Sequence, residues 1–250
     1  MATAESERNG YSGKGLLQSP EEWDVRNRVL VETIGELIDR YAPPGATDAL
    51  DIGAMHGTLT DAWAARTPFA WRGIDPGLAG PTRSTAGVEL DHGFSNELAF
   101  ESESFDVIVL ANVYEHIQPA ARLASFQEAR RVLRPGGVLI GQIPNPYFPI
   151  ESHSRLPFMG WLPYRAQKVY WRLAPVPWEH DFYVVTPKHL ARDATAGGLQ
   201  KVALRNFNYP PEVIPESVRW AARLLERPMR RWPWAWQFVY RKPQESPPAT

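Results

Sequence analysis

Residues 104–113 read SFDVIVLANV, and the stretch from Val107 to Ala111 within them carries no polar side chain. A strand with no polar face must be covered on both sides, which is how strands lie in a parallel sheet layered by helices. The neighbouring sequence fits that requirement. ATDALDIG (46–53) reads as a short buried strand, GTLTDAWAART (57–67) as a helix, FAWRGIDP (69–76) as a second strand and GVEL (87–90) as a weaker third. PAARLASFQEARRVL (119–133) is an amphipathic helix stopped by RPGG at 134–137, and VLIGQIP (138–144) returns as a strand. Strands alternating with helices in this way imply a parallel sheet with helices on both faces.

The flanks extend the pattern. PEEWDVRNRVLVETIGELIDRYA (20–42) spaces Trp23, Val29, Leu30, Ile34, Leu37 and Ile38 as a helix does. Ser19 can cap it, Pro20 suits its first turn, and Glu21 and Glu22 favour its positive end. Toward the C-terminus, PKHLARDATAGG predicts a helix, LQKVALRNF a strand, PESVRWAARLLERPMRR a helix and WQFVYRK a final strand. Residues 144–180 break the alternation and are expected to form a Pro- and aromatic-rich insertion. The organisation expected is one domain over 19–242, with loose tails at 1–18 and 243–250.

Composition narrows the class of function. A chain of 250 residues with 44% hydrophobic and 22% charged residues can bury a core of its own. Its net charge of −1 supplies no basic field for nucleic acid. With no cysteine, thiolate metal sites and disulfides are excluded. No secretory signal or membrane-spanning run is evident, so a cytoplasmic protein is expected. Seven of the ten tryptophans follow residue 160, so the second half is where regular alternation should fail.

The first strand ends in LDIGAMHG, with an acid at Asp51 and glycines at 53 and 57. A dinucleotide fingerprint would need a third glycine, a phosphate loop would end in Gly-Lys-Ser/Thr, and Asp51 would repel a pyrophosphate. Such a strand tip suits a ligand that carries positive charge and needs close backbone approach.

These residues resemble the first motif of the class I S-adenosylmethionine (SAM) methyltransferases, an acid followed by x-Gly-x-Gly-x-Gly. Asp51, Gly53 and Gly57 match it, and Met55 replaces the middle glycine. Three further stretches match in order. Asp75 ends the second strand, where the family's acid grips both ribose hydroxyls. ESFDVIVLANVYEHI (103–117) resembles the fourth-strand motif, and EARRVLRPGGVLIGQIPN (128–145) the helix, turn and fifth strand. The resemblance implies an α/β, Rossmann-like, seven-stranded mostly parallel sheet with an antiparallel last strand and the aromatic-rich insertion after the fifth strand. It implies SAM as cofactor, held by Asp51, Gly53, Gly57, Asp75 and Asn112. The family's adenine-binding acid does not carry over: in HGFSNELAF its place is taken by Phe94, so adenine is expected to pack on Phe94 and meet backbone at Ser95 or Asn96. GLAGPTRSTAG (77–87) is too short and Gly-rich for a full crossover helix, which leaves that sheet face thinly covered or closed by another segment or subunit, a homodimer being one form.

Methyl transfer from a sulfonium needs positioning, a base for a hydroxyl acceptor, and no metal. His116, beside Glu115 just past the fourth strand, and His153 are candidate bases, the alternatives being packing and loop shaping. His180 is expected to be buried or to serve a turn. NPYFPIESHSRLPFMGWLP (145–163) resembles a segment of bacterial methyltransferases associated with glycan and cell-envelope pathways, in which Glu151 and His153 would hold or deprotonate a sugar hydroxyl. The insertion 144–180 is the expected acceptor lid. Its aromatic residues Tyr147, Phe148, Phe158, Trp161, Tyr164, Tyr170, Trp171 and Trp178 either stack on the acceptor or close a small core. Residues 217–236 mix arginine with tryptophan, as a helix lying on anionic lipid does, although a helix packed on the sheet has the same composition. The function expected is methyl transfer to an oxygen of a small-molecule or lipid-linked glycan acceptor. The alternatives are O- or N-methylation of an aromatic or polyketide-like metabolite, and a non-catalytic partner protein of this fold.

Overall fold

A computed structural model describes residues 20–154, 156–174, 180–213 and 232–244. In chain order the main elements are α1 (Pro20–Tyr41), β1 (Asp48–Ile52), α2 (Thr58–Arg66), β2 (Ala70–Asp75), β3 (Thr82–Arg83), β4 (Glu89–His92), β5 (Phe105–Ala111), α3 (Arg122–Val132), β6 (Leu133–Pro144), α4 (Tyr164–Leu173), α5 (Pro187–Ala196), β7 (Gln200–Phe207) and β8 (Ala235–Arg241). One sheet contains all eight strands in the order β3-β4-β2-β1-β5-β6-β8-β7. Strands β4, β2, β1, β5 and β6 run parallel, and β8 lies antiparallel between β6 and β7.

The apolar run singled out in the sequence is the central strand β5, paired with β1 on one side and β6 on the other. Its side chains alternate between two cores. Val107 and Val109 join Leu30, Ile34 and Ile38 of α1 and Trp63 of α2. Ile108 and Leu110 face the other way, onto Phe126 of α3 and Leu190 of α5. Each such aliphatic side chain contributes about 1.5–3 kcal/mol when removed from water, which is why an unbroken apolar run is stable only here. At the far end of the strand, Asp106 accepts hydrogen bonds from the Thr47 and Asp48 amides at 2.8 and 3.1 Å and pairs with Arg134 at 2.6 Å. That acid is a fastener of the sheet, remote from the tips that carry the site.

The structure corrects the expected architecture in three places. Among the described residues there are eight strands, because the segment too short for a helix forms β3, antiparallel to β4. A groove of about 650 Å³ remains beside it, lined by Arg72, Pro81, Arg83, Glu89 and Phe100 among others. RPGG does not precede a strand but lies within β6, where the pairing register with β5 shifts between Phe105 and Val107. The insertion is not irregular throughout: it contains the helix α4 and a 3-10 turn at Met159–Trp161. The helix expected over 215–231 lies outside the described residues, as do Ser19 and nearly all of both expected tails.

Candidate active site

All five parallel strands point their carboxyl ends to one edge, and the acid of the first motif sits there. Gly53 and Gly57 follow β1 with φ of +85° and +86°, a region open to glycine at little cost. A Cβ on Gly53 would also collide with the Val113 side chain beyond β5, and one on Gly57 would lie 2.7 Å from Ser84 Cβ. The two glycines therefore let the β1–α2 loop fold flat against neighbouring strands. Met55, between them, also has a positive φ of +50° and turns its side chain outward, 37% exposed.

Asp75, at the tip of β2, holds this loop in place. Its Oδ2 accepts the Met55 amide at 3.0 Å and its Oδ1 the Gly77 amide at 2.7 Å. Each carboxylate oxygen has a second lone pair, so a diol can be gripped as well. Asp51 is buried, and its Oδ2 accepts a 2.6 Å hydrogen bond from Thr60 of α2. Burial pushes its carboxyl up to about 7 against the opposing Thr60 hydrogen bond, with the charge of Asp75 adding to the rise.

The expected adenine side is a tight turn. Phe94 carbonyl accepts the Glu97 amide at 3.1 Å, which puts Ser95 and Asn96 at the turn's centre. Phe94 is 52% exposed with its ring edge-on to His92, so an aromatic face is available to a base. Asn96 is exposed, and Ser95 Oγ pairs with Ser125 Oγ at 2.8 Å. Asn112 takes a positive φ of +58° just past β5 and accepts from Gln142 Nε2 at 3.1 Å. Gln142 in turn reaches the Tyr209 hydroxyl and Gln237, so Asn112 is fixed by a buried polar network.

Past Val113 the chain makes a turn that delivers Glu115 and His116, and the insertion delivers Glu151 and His153 to the same place. Nδ1 of His153 pairs with Glu151 Oε1 at 2.6 Å, and its Nε2 lies 3.7 Å from Glu115 Oε1. Its ring stacks on Phe182 and meets His116 edge-on. Nδ1 of His116 pairs with Asp181 Oδ2 at 3.3 Å. Burial works against the charged form of His116, but the Asp181 hydrogen bond and the charges of Glu115 and Asp181 prevail and lift it to about 9. Glu151 is buried too; the His153 charge and hydrogen bond, with the Ser154 and His153 amides, nevertheless hold its carboxyl down to about 2. Glu115 is different. Burial raises its pKa, and neither carboxylate oxygen has a hydrogen-bond partner among the described residues. The structure brings together His116, His153 and Glu151, which the sequence offered separately as candidates, and adds Glu115 and Asp181, each next to a histidine in the chain.

His180 is packed among Tyr164, Trp171 and Phe182, with both ring nitrogens buried and unpaired, and burial lowers its pKa. That is the burial role expected. The lid's aromatic residues divide. Trp171 closes a small core with Leu156, Met159 and Phe182, and Phe148 stacks on Trp234 in another. Tyr147, Phe158, Trp161 and Tyr164 remain exposed. Trp178 lies outside the described residues, as does most of 217–236; of its last tryptophans, Trp234 is buried and Trp236 packs against the main core. Those two are unavailable to a lipid surface. No described helix is long and apolar enough to cross a membrane.

In an open, mostly parallel sheet ligands bind beyond the carboxyl ends of the strands, where this chain carries an acid and two left-handed glycines at the tip of β1 and a second acid at the tip of β2. A family profile described as a methyltransferase domain matches residues 26–204. The chain belongs to that family, enzymes whose methyl donor is SAM, and the residues at the strand tips fit the donor: Asp75 for a diol, Asp51 for an ammonium, and two glycines for close approach. Solved structures agree on the fold. The PH0226 protein from Pyrococcus horikoshii OT3 is similar at 17% identity, covering 94% of this chain and 95% of that one, with a TM-score of 0.59. An S-adenosylmethionine-dependent methyltransferase from Mesorhizobium loti matches at 15% identity, covering 84% and 99%, with a TM-score of 0.57. A chain of the Haloferax volcanii complex that contains the Trm112 methyltransferase activator matches at 14% identity, covering 90% and 96%, with a TM-score of 0.56. No curated protein matches the sequence.

Proposed function

We propose that the protein transfers the methyl group of SAM to a hydroxyl oxygen of a sugar-type acceptor, free or lipid-linked, of the kind found in cell-envelope glycans. The observation that carries this reading is the cluster of Glu115, His116, Glu151 and His153 past the carboxyl end of β5, in a chain whose insertion also carries exposed aromatic faces. SAM supplies an activated methyl on a sulfonium. Asp75 orients the ribose end. Asp51 lies under the amino-acid end, as a carboxylate above its elevated pKa. Phe94 and the turn after it face the base.

A hydroxyl becomes a competent nucleophile when its proton is taken in the transition state. His153 has the better geometry for this, since Glu151 fixes its Nδ1 side and leaves Nε2 toward Glu115. His116 is held as a cation by Asp181 and Glu115, which suits it to hold an oxygen rather than to accept its proton. Tyr147, Phe158 and Trp161 offer flat apolar faces on which a sugar ring can stack.

The test is incubation with methyl-labelled SAM and an extract fractionated into glycans, lipid-linked glycans and small aromatic metabolites. Label is expected in the glycan fractions, in a form that resists mild alkali, as an ether does. Alkali-labile label, or label confined to aromatic metabolites, would overturn the acceptor assignment.

A further inference from the structure

We propose that Glu115, His116 and His153 form a binding site for one divalent metal ion of the zinc class, and that this ion activates the acceptor hydroxyl. The reasoning starts at Glu115. It is 1% exposed, and both its oxygens are buried without a hydrogen-bond partner. A buried carboxylate in that condition is costly unless a cation meets it. His153 Nε2 lies 3.7 Å from its Oε1, too far for a hydrogen bond.

The two imidazoles are already oriented as ligands, with His116 losing its Nε2 proton when the ion binds. Glu151 engages Nδ1 of His153, and Asp181 engages Nδ1 of His116. A carboxylate on one ring nitrogen fixes the tautomer and leaves Nε2 as the free donor, the arrangement that orients histidine toward a metal. One ligand atom from each of Glu115, His116 and His153 lies within 4.8 Å of the others. Ligands on a tetrahedral ion at about 2.0–2.2 Å are roughly 3.4 Å apart, so side-chain movements of under an ångström would close the set. A cavity of about 10 Å³ adjoins Glu115, Glu151 and His153, close to the space one small occupant needs. Three carboxylates, Glu115, Glu151 and Asp181, lie beside the two rings, and the charge of Arg26 also acts on Glu115. Two histidines and one carboxylate are a ligand set that suits zinc and its neighbours and leaves a coordination position open.

The inference rests on the O-methylation reading and refines its proton step. With the ion in place, the imidazoles are ligands. The acceptor oxygen takes the open position, and the ion lowers its pKa so that its proton departs to solvent water. The oxygen then forms a bond to the methyl carbon as the carbon–sulfur bond breaks. The electron pair returns to sulfur, and S-adenosylhomocysteine is left as a neutral thioether.

The experiment is titration of the purified, chelator-treated protein with Co²⁺ alone, read by its visible ligand-field absorption, followed by Zn²⁺. The expected result is saturation at one equivalent and loss of the band on adding Zn²⁺. His153→Ala and Glu115→Gln should each weaken Co²⁺ binding at least tenfold while SAM affinity by calorimetry is kept, which also reports folding. Absence of saturable binding in the wild type, or equal binding in both variants, overturns the proposal. SAM binding without Co²⁺ binding would sink the metal site alone. One-to-one Co²⁺ binding without methyl transfer to any hydroxyl would instead remove the acceptor assignment.

Discussion

At the scale of single residues, Asp75 has two tasks that a substitution would separate. It ties Met55 and Gly77 into the loop, and in the proposed binding mode it grips the diol of the donor. Hydrogen bonds to a charged group contribute about 1.5–3 kcal/mol, so Asp75→Ala should weaken SAM binding roughly ten- to hundred-fold in calorimetry. Unchanged affinity would mean that the donor lies elsewhere. Gly53→Ala places a Cβ against Val113 at a left-handed φ. Backbone strain of that kind costs about 1–3 kcal/mol, so a lower melting temperature is expected even without SAM. Asp51 makes binding pH-dependent. As pH rises through about 7 it becomes the carboxylate that an ammonium needs, so SAM affinity should increase over that range in the wild type and stay flat in Asp51→Asn.

Much of this site could be read from the sequence because the demands are local. Positive φ requires Gly53 and Gly57, and an acid at a strand tip is visible from spacing alone. Met55 and Phe94 were departures from the family's pattern, and the structure turns both outward, 37% and 52% exposed. Glu115 and Asp181 were not legible as site residues. Their importance comes from a meeting of two segments more than 60 positions apart in the chain, which no spacing rule anticipates.

Among the elements, the insertion after β6 is where sequence reading lost most. Its helix α4 buries only Gln167 and Trp171, a narrow stripe that the surrounding prolines and aromatic residues obscure. That stripe rests on a core of its own with Leu156, Met159 and Phe182, separate from the two cores of the sheet. Local stability can therefore fall without the sheet opening. Trp171→Ala removes the largest member of that core, a change worth about 3–5 kcal/mol where a site cannot collapse. Limited proteolysis should then cut within 156–182 much faster, with the main thermal transition little moved. A matching fall in that transition would show that the lid and sheet melt together. Strand β3 is the converse case: the sequence showed that no helix could fit, but a two-residue strand carries too little periodicity to be predicted.

For the molecule as a whole, Asp51 also sets a trend in stability. The folded protein keeps its proton to about pH 7, whereas in the unfolded chain it leaves near 3.8. Its contribution is full below about pH 4 and is lost as pH rises through 7. Urea unfolding of the SAM-free protein at several pH values should show that decline, and Asp51→Asn should remove it. The layered architecture itself was written in the alternation of apolar runs and amphipathic helices, because burial on both faces admits few other arrangements.

The position of β8 has one more consequence. The last of the described strands lies between β6 and β7 and hydrogen-bonds to both. During synthesis, β7 would leave the ribosome with no neighbour to dock on, and the sheet would keep an open seam until residue 241 was free of the exit tunnel. A nascent chain stalled before that point should thus be a better client for chaperones than one released a few residues later.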